Sequence, residues 1–462
     1  MSLPRLVKTV LLLSIPAILA EISSIIMQYI DAAMVGGLGE QATAAIGLVS
    51  TSTWLLGGLC ISSAMGFSVQ TAQLIGAGRE EEARHVFRQS LLAVTVFGLF
   101  LAVVAASVSG VLPRWLGGDT VILSDASAYF LIYACALPFE QLRLLSGNML
   151  QCSGDMKTPS VLNTLLCVFD VAFNFLLIFP TRTVTLFSHS FIIWGAGLGV
   201  KGAALGTALA EVCTAGLMLY AACVHSEKLA FRLGGSWKLR KSCLTAALKI
   251  ALPAAFEHTA TCGAYIAATR ITAPLGTVAV AANSLAVTAE SFCYMPGYGI
   301  GSAATTLIGQ SIGADKKHLA RRFAYTSVTL GMLLMGCTAV IMYFVAPWMF
   351  TLLTPSPEVR VLGTDVLRLE AFAEPLYAAA IVSAGALRGA GDTLVPSIIN
   401  LVSMWGVRIT LSMILAAQMG LYGIWLAMCI ELCVRGLLFL IRLRWGKWDE
   451  SGVRVAFRET SD

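Results

Sequence analysis

The sequence predicts an all-α integral membrane protein with twelve transmembrane helices in two six-helix bundles, related by a parallel internal repeat about a central cleft. Three observations lead there. First, of 462 residues 57% are hydrophobic and only 12% are charged, roughly half the charged share of an ordinary soluble domain. Second, a mean hydropathy of +0.80 places almost the whole length in lipid, as helices that satisfy their own backbone hydrogen bonds. At about 20 residues per crossing plus short connections, the chain has room for about twelve spans and little else. Third, the two halves repeat at one fixed spacing. A water-soluble monomer and a disordered, collagen-like or disulfide-stapled chain are excluded. The 12 cysteines sit singly inside apolar segments without CxxC spacing and read as packing residues.

Apolar runs between Gly, Pro and charge clusters place the helices near 9–34, 44–74, 88–111, 124–150, 159–181, 196–226, 243–271, 280–309, 322–350, 360–388, 396–417 and 420–444. The first run follows Arg5 and Lys8, continues past signal-peptide length to Met34 and has no small-residue cleavage site. It reads as an uncleaved span. With these boundaries 22 of the 31 basic residues fall on one side, among them Arg79, Arg84, Arg88, Lys157, Lys228, Lys316, Lys317, Arg321, Arg388 and the tail from Arg442 to Arg458. Six lie opposite: Arg114, Arg182, Lys201, Arg270, Arg360 and Arg368. The positive-inside rule then puts both termini in the cytoplasm, as expected of a multi-pass protein of the cytoplasmic (inner) membrane. The net charge of +5 reports this orientation. No basic, aromatic-interleaved stretch points to nucleic acid, so the expected surroundings are the lipid bilayer and a small molecule.

The repeat is read at an offset of 237 residues. Pro16 pairs with Pro253, Leu38-Gly39 with Leu275-Gly276, and Gln73, Gly76 and Ala77 with Gln310, Gly313 and Ala314. Pro138 pairs with Pro375, Gly154-Asp155 with Gly391-Asp392, and Pro159 and Asn163 with Pro396 and Asn400. Farther on the offset falls to 221, where Gly199 and Gly202 meet Gly420 and Gly423, so the first half carries 237 − 221 = 16 extra residues around Thr181 to Ser190. The expected division is 1–226 for the first bundle, 227–242 for a cytoplasmic linker containing Gly234-Gly235, and 243–462 for the second bundle with a short basic tail. An even number of helices per repeat makes the halves parallel, which suits rocking of two bundles about a central site.

The segment PAILAEISSIIMQYIDAAMVGGLG at Pro16 to Gly39, the Gly-Gln-x-x-Gly-Ala element at Gly309 to Ala314, and LRGAGDTLVP at Leu387 to Pro396 with its degenerate twin LQCSGDMKTP at Leu150 to Pro159 resemble the multidrug and toxic compound extrusion (MATE) family. The resemblance covers essentially the whole chain. It implies a secondary antiporter that exports organic, often cationic and polyaromatic, compounds in exchange for H⁺ or Na⁺, with no cofactor beyond the coupling ion. The LRGAGD motif also has a plain reading: glycines permit a left-handed turn, and Asp392, like Asp155, can cap the next helix.

An acid inside a spanning helix is costly unless paired, protonated or hydrated. The candidates are Glu21, Asp31, Glu140, Asp170, Glu211, Glu257, Glu290, Glu370, Glu374 and Glu431. Glu431 with Arg435 and Glu140 with Arg143 have the spacing of intrahelical ion pairs. Asp31 has no Arg or Lys between positions 9 and 78, so it is protonated, cation-bound or hydrated. Gln28 shares its face. Asp31 also matches the acidic residue of the family's first-helix pattern, Asp31 to Gly36, which the resemblance links to cation coupling. Asp170 and Asn174 lie four apart on one face, and by depth Asn174 can approach Asp31. The family often shows Asn-x-x-x-Asp here; the order in this chain is inverted. Asp31, Asp170 and Asn174 form the expected coupling site for H⁺ or Na⁺, and no structural metal is expected.

The repeat partners of Asp31 and Asp170 are Ala268 and Val407, which confines the expected coupling chemistry to the first bundle. Some family branches place acids at what are Thr261 and Tyr377 here; both are missing, which favours a DinF-like over a NorM-like arrangement. In the second bundle Glu257 is the expected contact for a cationic substrate, beside His258, an interior polar group. Tyr294, Met295 and Tyr298, with Tyr265 and Trp54, are expected to line the cavity, because planar cations bind by stacking and adaptable apolar contact. A monomer is expected. The alternative function is a flippase or exporter of a lipid-linked or specific amphipathic metabolite, which calls for a cationic cavity. An enzyme is not expected: HExxH, GxSxG and paired His ligands are absent.

Overall fold

In hydrocarbon every peptide group needs a partner within the protein, and a helix supplies one inside a single segment. The apolar runs accordingly fold as helices in the computed structural model, which describes residues 2–186, 189–231 and 237–450. In chain order they are α1 (Leu3–Gly36), α2 (Glu40–Gly76), α3 (Glu80–Val108), α4 (Leu123–Ser153), α5 (Lys157–Ile178), α6 (Val200–His225), α7 (Lys241–Thr272), α8 (Thr277–Gly313) and α9 (Lys317–Leu353). They continue with α10 (Pro357–Glu370, resuming at Glu374–Ala390), α11 (Leu394–Met419) and α12 (Leu421–Trp445). Each expected segment carries a helix. Among the described residues 9 are long and apolar enough to cross a membrane by length and composition alone; α4 and α7 fall short on composition, and α10 because it is broken.

The helices outrun the apolar stretches that announced them. At 37 residues each, α2, α8 and α9 are about 55 Å long, well beyond the ~30 Å hydrocarbon layer. Thus α3 begins at Glu80, with Glu80, Glu81 and Glu82 in its first turn, where carboxylates face the positive end of the helix dipole. An apolar count cannot see such charged ends.

The repeat is written into the backbone. The starts of α2, α3 and α5 at 40, 80 and 157 recur at 277, 317 and 394 in α8, α9 and α11. Gly154 and Gly391 close α4 and α10 with φ of 100° and 90°, a left-handed cap that glycine adopts without Cβ strain. The two Asp residues that follow differ. Asp155 caps α5, its Oδ1 accepting from the Thr158 N–H at 3.0 Å. Asp392 is instead held by Arg442 at 2.6 and 3.1 Å, which corrects the capping role expected of it.

Two departures break the symmetry. The extra residues of the first half form an antiparallel hairpin, β1 (Pro180–Leu186) with β2 (His189–Ala196), so α5 stops at Ile178 rather than reaching 181. The second departure involves Pro138, which is accommodated inside α4. Its partner Pro375 restarts α10 after a break at 371–373, because proline lacks the N–H and crowds the residue before it.

Small residues bring the helices together. Ala279, Ala282, Ala286 and Ala289, at helical spacing on α8, are all buried, whereas Val96, Phe100 and Val103 on α3 are exposed, the pattern of a bundle core against lipid. Between the halves, α1 packs on α8, and α2 packs on α7 and α8. Of the expected linker, Phe231 stacks under Arg88 of α3 at 5.0 Å, and Lys241 already opens α7. Arg232, Gly234 and Gly235 of the linker, and Arg454 and Arg458 of the tail, lie outside the described residues.

Candidate functional site

Asp31 stands five residues before the end of α1, and Asp170 and Asn174 share one face of α5. The fold joins them. The Asn174 amide donates to Asp31 Oδ1 and to Asp170 Oδ2, both at 3.0 Å. Asp170 and Asn174 are 1% and 2% exposed, so the cluster is buried on the α5 side and half-buried at Asp31. Gly206 of α6 makes the room: a Cβ there would press on the Asn174 side chain and its backbone N. Among the described residues no Arg or Lys forms a salt bridge with either carboxyl. Asp170 Oδ1 and Asn174 Oδ1 have no hydrogen-bond partner. Two carboxylates that share one amide donor, with no cation paired to them among the described residues, repel each other in a site shielded from water, so the arrangement favours a proton or a small hard cation between them. The free oxygens suit either, since hard cations take oxygen ligands. Gln28, on the same face of α1, is exposed and, among the described residues, makes no hydrogen bond to either carboxyl.

Three other intramembrane acids, Glu431, Glu211 and Glu257, are paired with arginines, though not always as their spacing suggests. Arg435 donates to Glu431 at 2.6 Å along α12, as expected. Arg143 turns away from Glu140 and grips Glu211 of α6 at 2.5 and 3.0 Å, with Asn163 Oδ1 at 3.1 Å, because α4 and α6 face each other there. Glu257 is also committed. It accepts from Arg388 at 3.0 Å, Ser397 at 2.8 Å and Asn400 at 2.6 Å. That network ties α7 to α10 and α11, so the free anion expected for a substrate at Glu257 is not found.

A second group of acids went unrecognised as a group in the sequence. Glu290 of α8 and Glu370 and Glu374, which flank the α10 break, are buried, with one oxygen of each within 4.8 Å of the others. Their repeat positions, 237 residues earlier, are Thr53, Tyr133 and Leu137. Buried acids are therefore not confined to the first bundle. The sequence showed each of the three as a single intramembrane acid, with Glu370 and Glu374 one turn apart beside Pro375.

The nominated aromatics fall in two groups, one across the bundles and one inside the second bundle. Trp54 of α2 meets His258 and Tyr265 of α7 at ring distances of 4.8 and 5.3 Å, and His258 Nε2 lies 3.1 Å from the Trp54 carbonyl. Tyr294 packs on Tyr298 at 6.0 Å and on Tyr377 at 5.7 Å, and Met295 is half-buried beside them. Arg408, which the sequence did not single out, lies over Tyr265 at 5.8 Å from the π-helical turn Ser403–Ile409.

Two similar helical bundles with polar clusters inside them and an aromatic surface between them define a membrane transporter of the two-bundle type. The family model MatE matches residues 16–176 and again 253–414, and the chain belongs to that family, the multidrug and toxic compound extrusion family. It is 26% identical over 466 residues, covering 97% of this chain and 95% of the relative, to the probable multidrug resistance protein NorM of Thermotoga maritima. It is 26% identical over 453 residues, 95% of each chain, to the multidrug resistance protein MdtK of Yersinia pestis (strain Pestoides F). Its fold matches a crystal structure of MATE in complex with MaD3S at a TM-score of 0.87 and 19% identity, over 95% of each chain. A MOP superfamily transporter from Pyrococcus furiosus matches at 0.86 and 20%, also over 95% of each chain.

Proposed function

We propose that this protein is a cation-coupled efflux antiporter of the cytoplasmic membrane that exports organic cations, polyaromatic ones above all, in exchange for H⁺ or Na⁺. It works by alternating access, as a monomer with both termini in the cytoplasm, and leaves its substrate chemically unchanged. The relatives named as multidrug resistance proteins support multidrug efflux. One observation carries the mechanism: two carboxyls, Asp31 and Asp170, held by a single amide with no salt bridge to a cation among the described residues. Such a site takes up and releases one positive charge, and linkage requires that ion binding which favours one cavity orientation also alters substrate affinity. The ion, as H⁺ or Na⁺, would be held by Asp31, Asp170 and Asn174 in a DinF-like arrangement. Trp54, Tyr265, Tyr294, Met295 and Tyr298 offer the stacking surface.

The test is uptake of a fluorescent planar cation into proteoliposomes, with pH and Na⁺ gradients imposed separately, for the parent protein and for Asp31→Asn. Dependence on one gradient that vanishes in the variant is the expected result. Export intact in Asp31→Asn overturns the coupling site. No movement under either gradient overturns the substrate class in favour of an amphipathic metabolite.

A further inference from the structure

The Gln-x-x-Gly-Ala elements take no part in the site above. They end α2 at Gln73, Gly76 and Ala77, and α8 at Gln310, Gly313 and Ala314, where the two helices cross. The space a side chain on Gly76 would need is filled by the backbone of Gln310, and that on Gly313 by the backbone of Gln73. The side chains cross over as well. Gln73 Nε2 donates to the Gly389 carbonyl of α10 at 3.3 Å, and Gln310 Nε2 donates to the Cys152 carbonyl of α4 at 2.8 Å. Residues 73, 76 and 152 correspond to 310, 313 and 389 through the offset of 237, so each bundle grips the other with the same atoms. Neighbouring contacts join the same ends: Ser302 Oγ donates to Gln151 Oε1 at 2.8 Å, and Gln70 Nε2 donates to the Cys243 carbonyl at 3.2 Å.

We propose that the two elements form a reciprocal latch that locks these ends of the bundles together, and that opening the cavity on this side requires both halves of the latch to let go. Only glycine allows the backbones to approach this closely, and two neutral donors satisfy carbonyls just before the left-handed caps at Gly154 and Gly391. A neutral latch does not depend on the coupling ion for its own strength. Its symmetry lets one motion of the bundles release both grips. The proposal rests on the alternating-access reading, but its test needs neither substrate nor gradient.

The chain carries its own reporters. Cys152 is 4% exposed, with its thiol against Ser68 of α2 and Thr306 of α8, at the seam the latch closes. Cys60 is 0% exposed, inside a cluster of first-bundle residues. The measurement is the rate at which a polar maleimide labels each cysteine in the full chain in lipid nanodiscs, resolved by peptide mass spectrometry. Gln73→Met and Gln310→Met keep side-chain length and remove the donor. Each single change is expected to raise Cys152 labelling about fivefold, the weight of one buried neutral hydrogen bond, and the two together about twenty-five-fold, with Cys60 unchanged. Gly76→Ala, which wedges the crossing apart, is expected to do the same. A Cys152 rate in the double variant within about twofold of the parent, or a parallel rise at Cys60 in the single variants, overturns the latch. Absence of substrate transport by the parent protein, with the Cys152 response preserved in the variants, would instead count against the exporter reading alone.

Discussion

Gly206→Ala tests the coupling site without replacing any of its ligands. The added Cβ would fall on Asn174 Oδ1 and 2.9 Å from the Asn174 backbone N, so either the amide swings away or α6 withdraws from α5. Withdrawal of α6 alone leaves in place the two 3.0 Å bonds that join Asp31 and Asp170, because both run from α5 to α1 or within α5, whereas displacement of the amide breaks them. Hydrogen bonds to charged groups contribute about 1.5–3 kcal/mol each, so the site loses about 3–6 kcal/mol of preference for its bound geometry. Each 1.4 kcal/mol is about a factor of ten, and gradient-driven export is expected to fall by about a hundredfold or more. Gly216→Ala on the same helix is the control, because nothing lies within 4 Å of a Cβ there. The assay is proteoliposome transport under the effective gradient, with thermal unfolding of both variants in detergent to separate loss of coupling from loss of fold. Equal transport by the two variants would refute the argument that Asn174 must bridge the two carboxyls.

Two further outcomes follow from the paired charges. Arg143→Met strands the Glu211 carboxylate, which is 12% exposed, and breaking such a buried pair costs about 3–5 kcal/mol; adding Glu211→Leu should recover much of the loss in detergent melting curves, and no recovery would place the cost elsewhere. Past the last helix, hydrogen bonds and charge from Arg321 hold Asp449 below its ordinary carboxylate value of 3.8. A lowered folded value means that the stabilisation is complete above about pH 3.8 and is lost as pH falls through the lowered value. The fluorescence of buried Trp448, isolated by difference against Trp448→Phe, is therefore expected to shift red only in strong acid, and a shift near neutral pH would contradict it.

Much of the molecule could be read from residues alone. The spans were visible because lipid forces apolar residues into long runs, and Asp31 stood out because no cation lay near it in sequence. Asp170 and Asn174 fell on one face through the helical period, and the aromatics near Pro296 were visible as a cluster. Partner choice was not legible. Arg143 had Glu140 one turn away yet binds Glu211, 68 residues on, and Glu257 looked free until α10 and α11 brought Arg388, Ser397 and Asn400 around it.

The sequence by itself determined that the chain lives in a membrane, that it is built twice over, and which residues could carry charge there, because burial in hydrocarbon and helical periodicity act on each segment separately. The tertiary structure alone decided which of those groups meet. It joined Asp31 to Asn174, gathered Glu290, Glu370 and Glu374 around a broken helix, and set Gln73 against Gln310 across the seam. The physical reason is that an ion pair or hydrogen bond depends on which helix faces come together and at what depth, and that is fixed by packing between segments far apart in the chain.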